Sequence, residues 1–169
     1  KGIINQTDFN ISNGDANSTQ YFSAQHVDQT GTTPGDLYNR TNVRLNGTRK
    51  IGKTININYS TSYTQNRYDI TTATGSMYDQ MLNMPMNIDI TRYKDWQNDK
   101  FANPNGFYNP WYQNPYWTAA NYRQTNRNDY LTANVEVKFT PVKGLDFVFR
   151  QGISTRNQSN KNSNTGFTY

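Results

Sequence analysis

The sequence predicts an all-β chain: about six antiparallel strands forming part of a transmembrane barrel, with one long external loop that carries a short helix. Three observations lead there. The first is the stretch 53–66, KTININYSTSYTQN, which alternates without a break. Ile55, Ile57, Tyr59, Thr61 and Tyr63 fall on one face, and Thr54, Asn56, Asn58, Ser60, Ser62 and Thr64 on the other; a side-chain period of 2 is that of a strand. The run is about ten residues, enough to cross a bilayer when tilted, whereas most soluble strands have about 5–6. The second is a conflict in composition: 33% hydrophobic residues and a mean hydropathy of −0.99, yet 14% aromatic residues. A barrel resolves it, because one strand face meets lipid while the other face and the loops meet water. The third is an alternation of connections. Those near Gly14, Gly52 and Gly144 are short, and those after Gln29, Asn66 and Thr155 are longer; membrane barrels make short turns on one side and long loops on the other.

The bulk numbers exclude several classes. Disordered chains are poor in aromatics, and this one has 13 Tyr, 8 Phe and 3 Trp. Its net charge of +5 comes from scattered Lys and Arg with no dense basic block, which argues against nucleic acid as a partner. Cysteine is absent, which removes disulfides and thiol chemistry. No apolar run is long enough for a membrane helix, and no signal peptide is present. The chain begins at Lys1 without Met, so the expectation is a piece of a longer polypeptide.

In chain order, the leading stretch 1–7 is followed by a first strand at 8–12, with Phe9 and Ile11 on one face, and by a compact turn over 13–17 in which Asp15 can bond its own backbone. A second strand at 18–29 is ambiguous in its facing: Tyr21 and Val27 share one parity, Phe22 and Ala24 the other. The Gly- and Pro-marked loop 30–36 leads to a third strand at 37–48, which the 49–53 turn joins to the 53–66 strand. The pattern then stops for about sixty residues, over 66–126, long enough to be functional or folded on itself. Within it, Ser76 and Asp79 suggest a capping box for a helix from Met77 to Asn83, ended by Pro85. An aromatic, Asn/Pro-rich tract runs from Phe107 to Trp117. Alternation resumes with a fifth strand from Tyr130 to Phe139, whose Leu131, Ala133, Val135 and Val137 share a face, and a sixth from Leu145 to Ser154. The tail 155–166 carries no strand pattern.

Several segments, in one order, resemble the barrel of SusC/RagA-type TonB-dependent outer-membrane transporters of Bacteroidetes. They are STQYFSAQHVDQTG at 18–31, YNRTNVRLN at 38–46, the Met84-Pro85 helix end, NPYW at 114–117, RNDY at 127–130 and KFTP at 138–141. The NPYW match alone is weak; the ordered set covers nearly the whole chain. The resemblance implies residence in the outer membrane of a Gram-negative bacterium and active uptake of glycan or peptide. TonB would drive uptake through a plug, and a SusD-like surface lipoprotein would cap the barrel. Neither plug nor TonB-binding segment is visible in the sequence. Plugged transporters have ~22 strands, so six would be a segment needing the rest of the barrel and plug as partners, since lipid does not tolerate open edges. The loop 66–126, with the loop 30–36, is the expected contact with the lipoprotein.

The lipid-facing residues are expected to be Ile55, Ile57, Tyr59, Leu131, Val135 and Val137, with Tyr59, Tyr63 and Tyr130 forming an aromatic girdle near the outer strand ends. Tyr108, Trp111, Tyr112, Tyr116 and Trp117 are the candidate substrate-binding residues, since ring faces stack on sugars or hold apolar peptide side chains; the competing reading has them pack the loop. The Met77, Met81 and Met84 stripe reads as a small loop core. Arg44, Glu136, Lys138, Asp146 and Arg150 lie on polar strand faces, as an ion-paired wall or as contacts to a plug. No enzyme is expected: His26 is the only histidine, no catalytic motif is present, and the carboxylate pairs Asp95/Asp99 and Asp69/Asp79 fall in loops, which cannot hold a fixed separation. No metal or other cofactor is implied. Two other functions fit the composition: a soluble β-sandwich carbohydrate-binding module using Trp111, Tyr116 and Trp117, and a structural surface protein or envelope scaffold.

Overall fold

The computed structural model of the chain describes residues 2–102 and 107–164. Lys1 of the leading stretch, residues 103–106 of the long loop and residues 165–166 of the expected tail lie outside them. The described residues form one sheet of six antiparallel strands in chain order, β1 (Ile4–Gly14), β2 (Ser18–Thr30), β3 (Leu37–Ile51), β4 (Ile55–Thr71), β5 (Tyr122–Val142) and β6 (Leu145–Asn164). The sheet is not closed, and no second sheet lies against it among the described residues, so the sandwich arrangement is not formed. Two helices, α1 (Thr74–Leu82) and α2 (Pro115–Asn121), sit in the connection between β4 and β5. Neither helix is long and apolar enough to cross a membrane.

The tight turns follow from local chemistry. Asp15 Oδ1 accepts from the backbone N–H of Asn17 at 2.7 Å and of Ser18 at 2.6 Å, closing the β1–β2 turn. Gly52 and Gly144 adopt φ of +61° and +90° in the other two turns, conformations that only glycine takes without strain.

Register settles which residues share a face. Ile55 pairs with Phe139, Ile57 with Val137, Tyr59 with Val135 and Tyr63 with Leu131, so all six expected lipid-facing residues lie on one side of the sheet. The same side continues through Leu45 and Val43 on β3, Phe22 and Ala24 on β2, and Ile11 and Phe9 on β1. In the other direction it continues through Phe147, Phe149 and Ile153 on β6. The pairing of Phe22 with Leu45 and Ile11 removes the ambiguity of β2, and Tyr21 and Val27 turn to the opposite face.

That opposite face is polar and internally paired. Glu136 accepts from Arg150 Nε at 2.5 Å and from Asn58 Nδ2 at 3.2 Å, and Lys138 Nζ lies 2.8 Å from Asp146. The apolar face has no cover: Phe147 is 56% exposed, Phe149 61% and Phe9 56%. Among the described residues, the buried apolar side chains are Val27 and six residues of the long connection: Met77, Ala102, Phe107, Pro115, Trp117 and Ala119. The dry core therefore belongs to the loop, not to the sheet.

Several boundaries differ from the sequence reading. β1 starts at Ile4, β4 runs on to Thr71 and β5 begins at Tyr122, which shortens the long loop to 72–121. β6 extends through Asn164, so the stretch after Thr155 is strand, paired to Tyr122–Leu131 of β5. Beyond the apolar stretch polar residues stand on both faces, and no alternation marks these extensions. Helix α1 begins at Thr74, with Ala73 as its N-cap and no side-chain cap. Ser76 lies inside the helix, where its Oγ accepts from Gln80 Nε2 at 3.2 Å. Tyr130 pairs with Thr64 on the polar face, with the Arg156 guanidinium 5.3 Å from its ring centre, so it cannot share a girdle with Tyr59 and Tyr63. Tyr59 lies mid-band with its ring over Gly47. Only Tyr63 sits at the upper edge of the apolar stretch.

Candidate ligand platform on the long loop

The loop 72–121 is a small folded unit seated on the ends of β4 and β5. Asn114 organises it. Its side chain is fully buried, and Oδ1 accepts from the backbone N–H of Tyr116 at 3.0 Å, capping α2, with Pro115 in the first helical position. Proline costs nothing there because its missing N–H has no helical partner. Asn114 Nδ2 donates to the carbonyls of Tyr93 and Ala102, so one amide ties three segments together. The ring of Phe107 meets Tyr93 edge-on at 4.9 Å and Tyr108 at 4.8 Å. The Trp117 ring meets Tyr122, the first residue of β5, at 5.8 Å.

Arg123 fastens this unit to the neighbouring loop 31–36. It reaches Asp36 at 2.9 Å and Asp69 at 2.8 Å, and donates to the carbonyls of Gly35 at 2.6 Å and Ala119 at 3.1 Å. Asp36 Oδ1 also accepts from the backbone N–H of Thr71 at 2.8 Å. Asp89 caps a 3-10 turn over Ile90–Tyr93, accepting from the N–H of Thr91 at 2.9 Å and its hydroxyl at 2.7 Å. These bonds, the hydroxyl's first, hold its carboxyl below the ordinary carboxylate range.

The five candidate binding residues have different surroundings. Trp117 is only 5% exposed and belongs to the core of the loop. Tyr108 is half-buried, donates from its hydroxyl to the Asn83 carbonyl at 3.0 Å and stacks on Tyr112 with ring centres 6.4 Å apart. Trp111 is 86% exposed, on a turn where Asn109 Oδ1 accepts from the N–H groups of Trp111 and Tyr112. Tyr116 is half-buried between two clefts. One, of about 440 Å³, lies among Pro34, Asp69, Lys94, Trp96 and Arg123. The other, of about 230 Å³, is apolar and lies among Pro34, Met77, Met81 and Ile90. Trp96, Lys94 and Pro34 had no signal in the sequence: each is isolated, and the fold alone gathers them around Tyr116. The arrangement offers two aromatic faces beside the Lys94 ammonium, a set that suits a ligand with an apolar body and an anionic or polar end. Among the described residues, no cluster of metal-ligating side chains forms.

No protein-family model matches the chain, and no curated protein matches it in sequence. Among solved structures, the chain is similar to a chain of the RagAB peptide importer in its closed-closed state, at 18% identity and a TM-score of 0.61. The match covers 92% of this chain and 18% of that one, so the chain spans under a fifth of the length of its structural neighbour. At this identity the likeness is one of fold.

Proposed function

We propose that this chain is a wall segment of an outer-membrane nutrient transporter of the SusC/RagA type, lying in the outer membrane of a Gram-negative bacterium. The carrying observation is the uncovered apolar face, which runs across all six strands and ends at Tyr63. In water, a patch of this extent marks an interaction surface or an aggregation hazard; against lipid it needs no cover. The edges β1 and β6 require neighbouring strands, which the rest of the barrel would supply. The fold likeness to an importer supports the same reading, and that protein's peptide cargo favours peptide over glycan here. Transport would be energised by TonB through a plug, with the substrate left chemically unchanged. The loop 72–121, with the loop 31–36 that Arg123 ties to it, would meet a SusD-like surface lipoprotein and present Tyr116, Trp96 and Trp111 to the incoming ligand.

The test is the intact mass and fractionation of the protein from its native cells. The expected result is a detergent-requiring outer-membrane protein several-fold heavier than 19.5 kDa, with peptides from further strands and a plug. A detergent-free soluble product of 19.5 kDa would overturn the proposal.

A further inference from the structure

Resting on that membrane reading, we infer that the outer wall above the apolar band carries a site for the phosphate of an anionic membrane lipid, built from Arg67 and Arg127 with Lys161 beside them. The β4–β5 ladder runs without a register shift from Ile55–Phe139 to Thr71–Arg123. Parity is therefore kept, and Arg67 and Arg127 point to the same side as Ile55, Ile57 and Tyr63. They are direct cross-strand partners. Like charges placed opposite one another destabilise a sheet, so an Arg–Arg pair needs an anion to offset it. Asp129 satisfies only Arg127, at 2.8 Å; Arg67 is exposed with no ion pair among the described residues. Lys161, paired with Thr125 in the next row, is exposed on the same side. The other acids on this wall are engaged: Asp69 with Arg123, and Asp28 with His26 at 3.1 Å and with the Asn39 amide.

The level fits as well as the charge. Tyr63 closes the apolar band, its hydroxyl donating to Asp129 at 2.8 Å. Arg67 stands four residues further on, about 14 Å along the strand and about 10 Å higher at a barrel tilt near 40°. Headgroups occupy roughly 5–8 Å beyond each side of the hydrocarbon, and an arginine side chain reaches down over that distance with its stem on the apolar wall. A guanidinium pair presents parallel N–H donors to a phosphate.

The experiment uses the intact protein, delipidated and studied by native mass spectrometry and in nanodiscs of phosphatidylcholine with and without phosphatidic acid. Wild type should prefer phosphatidic acid over phosphatidylcholine by roughly thirtyfold, the factor expected from two basic side chains at an anionic lipid surface. The double variant Arg67→Gln/Arg127→Gln should lose that preference, Arg67→Lys/Arg127→Lys should keep it, and Arg44→Gln on the polar face should leave it unchanged. Insertion with the preference intact in the Gln double variant overturns the site alone. Inorganic phosphate displacing the lipid overturns it in favour of a free-anion site. Failure of wild type to enter either nanodisc overturns the site together with the membrane reading.

Discussion

Val135→Arg is the sharpest probe of which medium the apolar face meets. On β4 the band runs from Ile55 to Tyr63, eight steps of ~3.4 Å or about 27 Å along the strand, and about 21 Å tall at a tilt near 40°. Val135 pairs with Tyr59 and lies halfway between Leu131 and Phe139, about 10 Å from either edge. An arginine at that depth costs about 2–4 kcal/mol in a barrel wall. In water the same change on a half-exposed strand residue would shift stability by about 0.5 kcal/mol or less. The control is Thr132→Arg, on the same strand and the opposite, wetted face, where the cost should be under about 1 kcal/mol. The assay is reversible urea unfolding of the intact protein in lipid vesicles, compared at the midpoint. Equal midpoints for the two variants would refute the lipid-facing assignment.

Four further outcomes follow from particular contacts. Asn114→Ala removes a helix cap worth about 0.5–2 kcal/mol and takes the donor from the buried Ala102 carbonyl and the part-buried Tyr93 carbonyl, at about 1–3 kcal/mol; hydrogen exchange should accelerate across 93–121 while the strands keep their protection. Arg123→Gln removes charge-assisted bonds worth roughly 1.5–3 kcal/mol, and limited proteolysis should then cut the loop 31–36. Gly47→Ala would set a methyl 2.3 Å from the Tyr59 ring and 2.9 Å from the Thr19 carbonyl, an overpacking that costs about 1–3 kcal/mol and should lower the melting temperature. Asp15 has its carboxyl lowered, first by the Asn17 N–H and then by Ser18, and Asp89 is lowered by Thr91. A folded value below the unfolded one stabilises above the ordinary aspartate range, near 3.9, and the gain is lost as pH falls through the folded value. Carbon-detected NMR titration should show both carboxyls ionised below that range, with the β1–β2 turn and the 3-10 turn loosening only in stronger acid.

The legible part of the chain was the part whose two faces differ in polarity. The alternation of 55–63 and 131–139 fixed strand type and face, and the all-β fold with its six strands followed; the pairing of these two stretches came from the structure. The extensions 67–71, 122–129 and 155–164 were invisible because a strand with polar residues on both sides does not alternate; they are strands only because each pairs with the next. Tyr130 could have been placed correctly, since it is one residue out of phase with Leu131. At the candidate platform the aromatic tract was visible as composition, but which ring is core and which is surface was not. Trp117 is buried because Asn114 starts a helix there, and Trp111 is exposed because Asn109 turns the chain outward.

The division of the core explains how such a polar sequence holds one arrangement. The loop 72–121 supplies its own dry interior and is locked by side-chain-to-backbone bonds, so its shape does not depend on the surrounding medium. The sheet has no interior, and its apolar face becomes a stabilising feature only when something apolar lies against it. Arg123 joins the two regimes. It stands one residue into β5, next to the end of α2, and its side chain spans β4, the loop 31–36 and the helix. A displacement of the loop unit by a ligand or a surface partner must therefore strain the Asp36 and Asp69 contacts before it reaches any other part of the wall. The strand ends that move with it are the polar extensions of β4 and β5, beyond the apolar band.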